Sequence, residues 1–273
     1  MRIPNILTTV MLIVLVSIFG VGCGPDDESN TEISQTVDEN IALELDEEKT
    51  EDKNDTITII LDPGHGGENT GAMADVNGDG VIDFEKDLNM VVANHMIEIL
   101  QNYEGLHVAL TRYGDEELSH AERAAIAQSF AKETLSKTVI LISIHNNANP
   151  YAFLEGVEAY VSVYDERYDW ITTDLAYEMV DSIAENFKLL NRGVLTRVSR
   201  RHDDWYGIIR NGIARDIPTI ILEQCFMDNP DDAFKVLSSE EKLYKLAETN
   251  SLAIVNFFRL EPKKEFQTIN ASE

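Results

Sequence analysis

Apolar runs rich in β-branched residues punctuate the chain: TITIILD (56–62), HVALT (107–111), TVILISIH (138–145), GVEAYVSV (156–163) and IPTIILE (217–223). In several of them consecutive positions are apolar, the pattern of a strand covered on both faces. The intervening segments carry helical spacing. Leu88, Val91, Val92, Met96 and Ile99 form one stripe, residues 121–135 are rich in helix formers, and 170–187 and 240–258 read as further helices. Strands alternating with helices predict a single α/β domain over about residues 56–260, a mainly parallel twisted sheet with helices on both faces. Residues 261–273 are a tail, and the domain carries no internal repeat and no second linker.

Upstream the pattern breaks twice. Residues 1–23 hold one Arg and then an uncharged apolar run from Ile6 to Gly22, which predicts a signal peptide or a membrane anchor rather than part of the fold. The run ends in Gly-Val-Gly-Cys, which resembles the processing site of bacterial lipoproteins and makes Cys23 the candidate lipidated residue. Gly20 stands where such sites usually carry Leu, so an uncleaved helical anchor and plain secretion stay as alternatives. All three place the rest of the chain outside the cytoplasm. Residues 24–55 then carry thirteen acids against two lysines and no aromatic residue. Such a segment buries too little apolar area to offset its ordering entropy, so it predicts a disordered acidic tether with a reach of roughly 30 Å.

Over all 273 residues the apolar fraction, 44%, is ordinary, but the net charge of −27 is not. That excess argues against nucleic acid as a partner, because phosphate binding needs basic patches. With Cys23 lipidated or removed, Cys225 has no partner, so the fold holds by its core rather than by a disulfide.

Candidate chemistry gathers behind three of the strands. TITIILD leads into Pro-Gly-His65-Gly-Gly, TVILISI ends at His145, and IPTIIL ends at Glu223. Open α/β sheets put their ligands beyond the carboxyl ends of the strands, so these three side chains stand at one sheet edge. Two His with one carboxylate is a known zinc donor set, and spacing alone leaves the carboxylate open between Glu223 and Glu85.

Taken together, LDPGHGG, EKDLN, TR, LSHAER, SIHNNA, GVEAY, NRGV and PTIILEQCFMDNPDD occur in an order that resembles the zinc-dependent N-acetylmuramoyl-L-alanine amidases. The resemblance implies an α/β catalytic domain that hydrolyses the amide between N-acetylmuramic acid and L-alanine in peptidoglycan. It implies Zn2+ held by His65, Glu85 and His145, with Glu223 as the catalytic carboxylate rather than a ligand. Glu223 then takes a proton from a zinc-acidified water and delivers it to the leaving amine. Asn147 and the Gly66–Gly67 backbone are candidates to line the cleft. Cys225 and Asp228 stand where the family usually has Gly and Ser, and neither removes a group the chemistry needs. His95, His107, His120 and His202 match nothing used in the family and read as helix surface or loop, with His202 in an aromatic, charged stretch that could also touch substrate.

The segment DVNGDGVIDFEKD (75–87) imitates a calcium loop, with Asp75, Asn77, Asp79, Gly80 and Asp83 in register. Lys86 occupies the twelfth position, where a bidentate acid belongs. The loop therefore reads as the connector that delivers Glu85, its Asn-Gly and Asp-Gly pairs being turn chemistry, with a weak calcium site closed by Asp87 as the alternative. Two further functions compete with hydrolysis: a catalytically silent wall-binding or regulatory relative, and a calcium-triggered sensor. Retention of both His, Glu85 and Glu223 weighs against the first, and Lys86 against the second.

Overall fold

A computed structural model describes residues 54–149, 153–164 and 169–264. The anchor and nearly all of the acidic tether lie outside the described residues, as does most of the tail. The tether's last two positions, Asn54 and Asp55, already belong to the first strand.

Six strands form one sheet: β1 (Asn54–Pro63), β4 (Leu106–Leu110), β5 (Ser136–Asn147), β6 (Val157–Tyr160), β7 (Asn191–Leu195) and β8 (Thr219–Phe226). Their order is β4-β1-β5-β8-β6-β7. Pairings are parallel except that β6 runs antiparallel to β8. A separate two-stranded hairpin, β2 (Met73–Ala74) and β3 (Asp83–Phe84), stands between β1 and α1 (Glu85–Leu100).

Period-two alternation divides the core between the two faces of the sheet. Ile59, Leu61, Ile140, Ile142, Ile220 and Leu222 face a large apolar layer that includes Val92 and Met96 of α1. On that side also pack α3 (Asp169–Phe187), α5 (Pro230–Val236) and α6 (Glu240–Phe258). The intervening Ile60, Leu141 and Ile221 face a smaller layer with Ala127 of α2 (His120–Thr134) and Ile208 of α4 (Gly207–Ile213). Each fully buried aliphatic side chain contributes roughly 1.5–3 kcal/mol. The continuous apolar runs in the sequence are thus two interleaved half-sequences, one per face.

Helix starts explain where the site residues stand. Ser119 caps α2 in a capping box with Glu122, so the polar stretch LSHAER is a helix signal. Asn229 caps α5 with Pro230 behind it, and Ser239 caps α6. Phe84 offers α1 no side-chain cap. Instead the first amides of α1, Glu85 N and Lys86 N, donate to the carbonyls of Ala72 and Thr70 at 2.9 and 3.1 Å. Glu85 is thereby pinned as the first residue of its helix, and both ends of the β2–β3 excursion meet at that point.

Candidate metal centre

On the smaller-layer face, parity continues from Ile60, Leu141 and Ile221 to Asp62, Ser143, His145 and Glu223. The register sets His145 beside Glu223, and Glu223 beside Glu158 of β6. His65 follows β1 with a left-handed backbone, φ 63°. Glu85 enters from the other side at the start of α1. Its carboxylate lies between the two imidazoles, Oε2 at 3.0 Å from His65 Nε2 and Oε1 at 3.0 Å from His145 Nδ1. The rings meet edge to face with centroids 4.8 Å apart. One ligand atom from each of His65, Glu85 and His145 lies within 4.8 Å of the others, a grouping able to hold a metal ion.

The surroundings fit that role. Asn69 Oδ1 lies 2.9 Å from His65 Nδ1, which fixes the ring and leaves Nε2 towards the cluster. Glu85 also accepts from Ala72 N at 2.8 Å and Asn146 N at 3.0 Å. Burial pushes the Glu85 carboxyl up, but both imidazoles outweigh it and hold it well below the usual carboxylate range. Burial lowers His145, yet its hydrogen bond to Glu85 and the charges of Glu85, Glu223 and Asp62 push it up to about 9. Two imidazoles and a buried carboxylate suit a borderline divalent ion such as zinc.

Glu223 behaves differently. Its Oε2 is buried and meets no hydrogen-bond donor among the described residues. Burial pushes its carboxyl up to about 7, with Glu85 and Glu158 adding to the rise and His145 opposing it. Two neighbouring carboxylates are thus driven apart, Glu85 towards permanent charge and Glu223 towards proton exchange near neutrality, the separation expected of a ligand and an acid–base group.

Two buried arginines hold the His65 loop. Arg123 pairs with Asp62 at 2.7 Å and donates to the carbonyls of Pro63 at 2.8 Å and His65 at 2.6 Å. Arg112 donates to Pro63 O at 3.0 Å and Gly64 O at 3.1 Å. Lys86 Nζ reaches Gly67 O and Asp115. In the calcium register Lys86 held the closing position; here its ammonium braces the loop that carries His65. Asp75 accepts from the amides of Gly78, Asp79 and Gly80, as turn chemistry requires.

Gly64 is required by close approach. A Cβ there would stand 2.2 Å from His145 Cε1. Gly64→Ala should therefore displace the imidazole and weaken any divalent-ion binding there about 10–100-fold, the usual range for disturbed outer-shell support. Competition with a chromophoric chelator measures this; unchanged affinity would remove the packing constraint.

Other expectations shift. The Asn147 amide is taken up by Glu158 Oε1 at 2.7 Å and by Ala148 N, so it orients Glu158. Gly66 N and Gly67 N already donate to Asn69 O and Asp115. Cys225 is buried with Sγ 3.6 Å from Asn146 Oδ1, and Asp228 accepts from Asn149 N. His95 ties α1 to α6 through Glu240 at 2.8 Å. His120 packs against Gly207 at the head of α4, and His202 sits exposed on a turn.

The family model for N-acetylmuramoyl-L-alanine amidase matches residues 59–256, well over half of the chain. The chain belongs to the N-acetylmuramoyl-L-alanine amidase family. It is an amidase that hydrolyses peptidoglycan. It is 32% identical to YqiI of Bacillus subtilis over 201 residues, 73% of this chain and 82% of that protein. It is 31% identical to the probable cell wall amidase LytH of Staphylococcus epidermidis over 64% of this chain, and the match spans 50% of LytH. Cwp6 from Clostridium difficile superposes with TM-score 0.64 at 30% identity, covering 74% of this chain and 29% of Cwp6. An amidase of the cell wall acts outside the cytoplasm. Among the described residues no helix is long and apolar enough to cross a membrane.

Proposed function

We propose that this amidase is zinc-dependent, that His65, Glu85 and His145 hold the ion, and that Glu223 is its proton carrier. The observation that supports the roles most directly is the contrast between the two acids. Glu85 is saturated with donors, whereas Glu223 keeps a buried oxygen without one among the described residues. A bound zinc ion supplies Lewis acidity, acidifying a water and drawing charge from the scissile carbonyl. Ionised Glu223 accepts the proton of the attacking water and returns it to the departing L-alanine nitrogen. Asn69 keeps His65 oriented, and the carbonyl contacts of Arg112 and Arg123 keep its loop in place. A lipid on Cys23 would anchor this amidase at a membrane facing its wall substrate.

Mass spectrometry of muropeptides after digestion with the purified chain, with and without chelator, tests bond, reaction and metal together. Stem peptides should appear with a free L-alanine amino group, and chelator should stop their release. Cleavage elsewhere, or cleavage indifferent to chelator, rejects the assignment.

Acid should suppress the reaction in a defined way. Glu223 must be ionised to accept a proton, so kcat/KM falls as pH drops through its pKa. Without a metal that value is about 7, and a divalent cation nearby favours the charged form and lowers it. The acid limb should therefore have its midpoint below 7. A limb centred clearly above 7 would assign the titration to another group.

A further inference from the structure

The polar row does not end at Glu223. His145, Glu223 and Glu158 are cross-strand neighbours on β5, β8 and β6, and β7 follows. Along β6 and β7, Val157 faces Asn191 and Ala159 faces Val194, so Arg192 and Gly193 together stand opposite Glu158. This is a bulge, permitted by the left-handed Gly193 at φ 81°. It turns the Arg192 guanidinium onto the Glu158 side of the sheet, where Nε donates to Glu158 Oε2. Glu158 is 2% exposed and also accepts from Asn147 and Tyr160. The guanidinium lies 5.2 Å from the Phe226 ring centroid.

The pair is asymmetric. Side-chain exposure is 3% for Glu158 and 27% for Arg192. A guanidinium has five N–H donors in a planar fork. Glu158 engages Nε, and Nη1 makes only a 3.5 Å contact with Glu155 O. Among the described residues the fork thus retains donors at the solvent edge of a row that is otherwise carboxylate and imidazole.

We propose that Arg192 is a specificity-determining residue that receives a substrate carboxylate on the β7 side of Glu223, the free carboxylate of the second stem-peptide residue. The proposal rests on the amidase reading. The lactyl carboxyl of muramic acid is consumed in the scissile amide, and the sugar's hydroxyl and acetamido groups are uncharged, so an anion receptor here reads the peptide. From β8 to β7 is two strand spacings, about 10 Å. Two extended residues cover roughly 7 Å, and a carboxylate projecting from the second reaches the remainder. In a chain of net charge −27, a cation beside Glu158 and Glu223 also offsets repulsion of an anionic substrate.

Two synthetic muramyl peptides differing only in a carboxylate or a carboxamide on the second residue test this. The wild-type enzyme should favour the carboxylate by about 10–100-fold in kcat/KM, chiefly through KM. Arg192→Gln should reduce that ratio to about twofold or less, and Arg192→Lys, which keeps the charge against Glu158, should restore part of it. A merely structural role lowers both substrates equally and leaves the ratio intact, which overturns the proposal, as does a wild-type enzyme without preference. Calorimetric binding of both peptides to Glu223→Gln reads the preference without turnover. Equal binding there refutes the role of Arg192, whereas wild-type failure to cleave either peptide refutes the amidase reading instead.

Discussion

Replacing Glu223 by Gln should cut kcat at least about a hundredfold while leaving zinc bound, because the amide keeps the shape of the side chain and loses the base. The same variant should have a second phenotype with the opposite sign. The folded-state pKa of Glu223 is raised to about 7, so the folded protein resists ionising it. That penalty is absent below the unfolded carboxylate pKa, grows as pH rises, and is complete above about 7. Metal-free Glu223→Gln should therefore melt higher than metal-free wild type at pH 8 and match it at pH 4. Activity loss without the pH-dependent gain would mean that the buried oxygen is reached by solvent. Full activity would refute the proton-carrier role outright.

The second large effect is on stability. Arg123→Met should destabilise the domain by about 3–5 kcal/mol, because Asp62 is left as a charge in the core without its partner. For a domain of this size that lowers the melting temperature by about 10 °C. Burial raises the Asp62 carboxyl, but Arg123 and the hydrogen bonds from Ser143 and Thr111 overcome it and hold it below the usual range. A depressed carboxylate contributes stability that is present above its unfolded pKa and lost as pH falls through the folded one. The difference between variant and wild type should accordingly be full at pH 7 and shrink in strong acid. Zinc affinity should fall as well, since Arg123 also holds the carbonyl of His65. Urea melts at several pH values, alone and with Asp62→Asn, measure the coupling; a loss below about 1 kcal/mol would show that the pair is dispensable.

What the sequence disclosed and what it hid have physical reasons. The central strands were legible because both faces are buried, which leaves no polar interruption until the strand end. His65, His145 and Glu223 were legible because polar groups appear abruptly where such runs stop. Glu85 needed the family pattern, since nothing in its spacing separates a helix-start ligand from a helix-start cap. Arg123 gave no sign of burial, because a charged residue in LSHAER reads as helix surface until its carbonyl partners are known, and Arg112, just past the end of β4, reads as a solvated strand end. Asn69 was hidden in a turn, although an amide four residues after a candidate ligand His was a usable signal. Strand β7 was missed because its bulge breaks the alternation, and α4 and α5 because seven residues carry barely two turns of periodicity. The expected run 156–163 forms ladder pairs over Val157–Tyr160, and its antiparallel pairing with β8 leaves no trace in composition.

Residues 73–84 leave and rejoin the fold at one place, where the amides of Glu85 and Lys86 meet the carbonyls of Ala72 and Thr70. Met73 pairs with Phe84, and Ala72 bonds Glu85 through both its N–H and its carbonyl, so the metal-facing carboxylate is set by the clasp and not by what hangs from it. Val76 packs into the main core, so only the exposed tip, residues 77–82, can be trimmed to a short turn or carry a spliced peptide while the reaction centre keeps its shape.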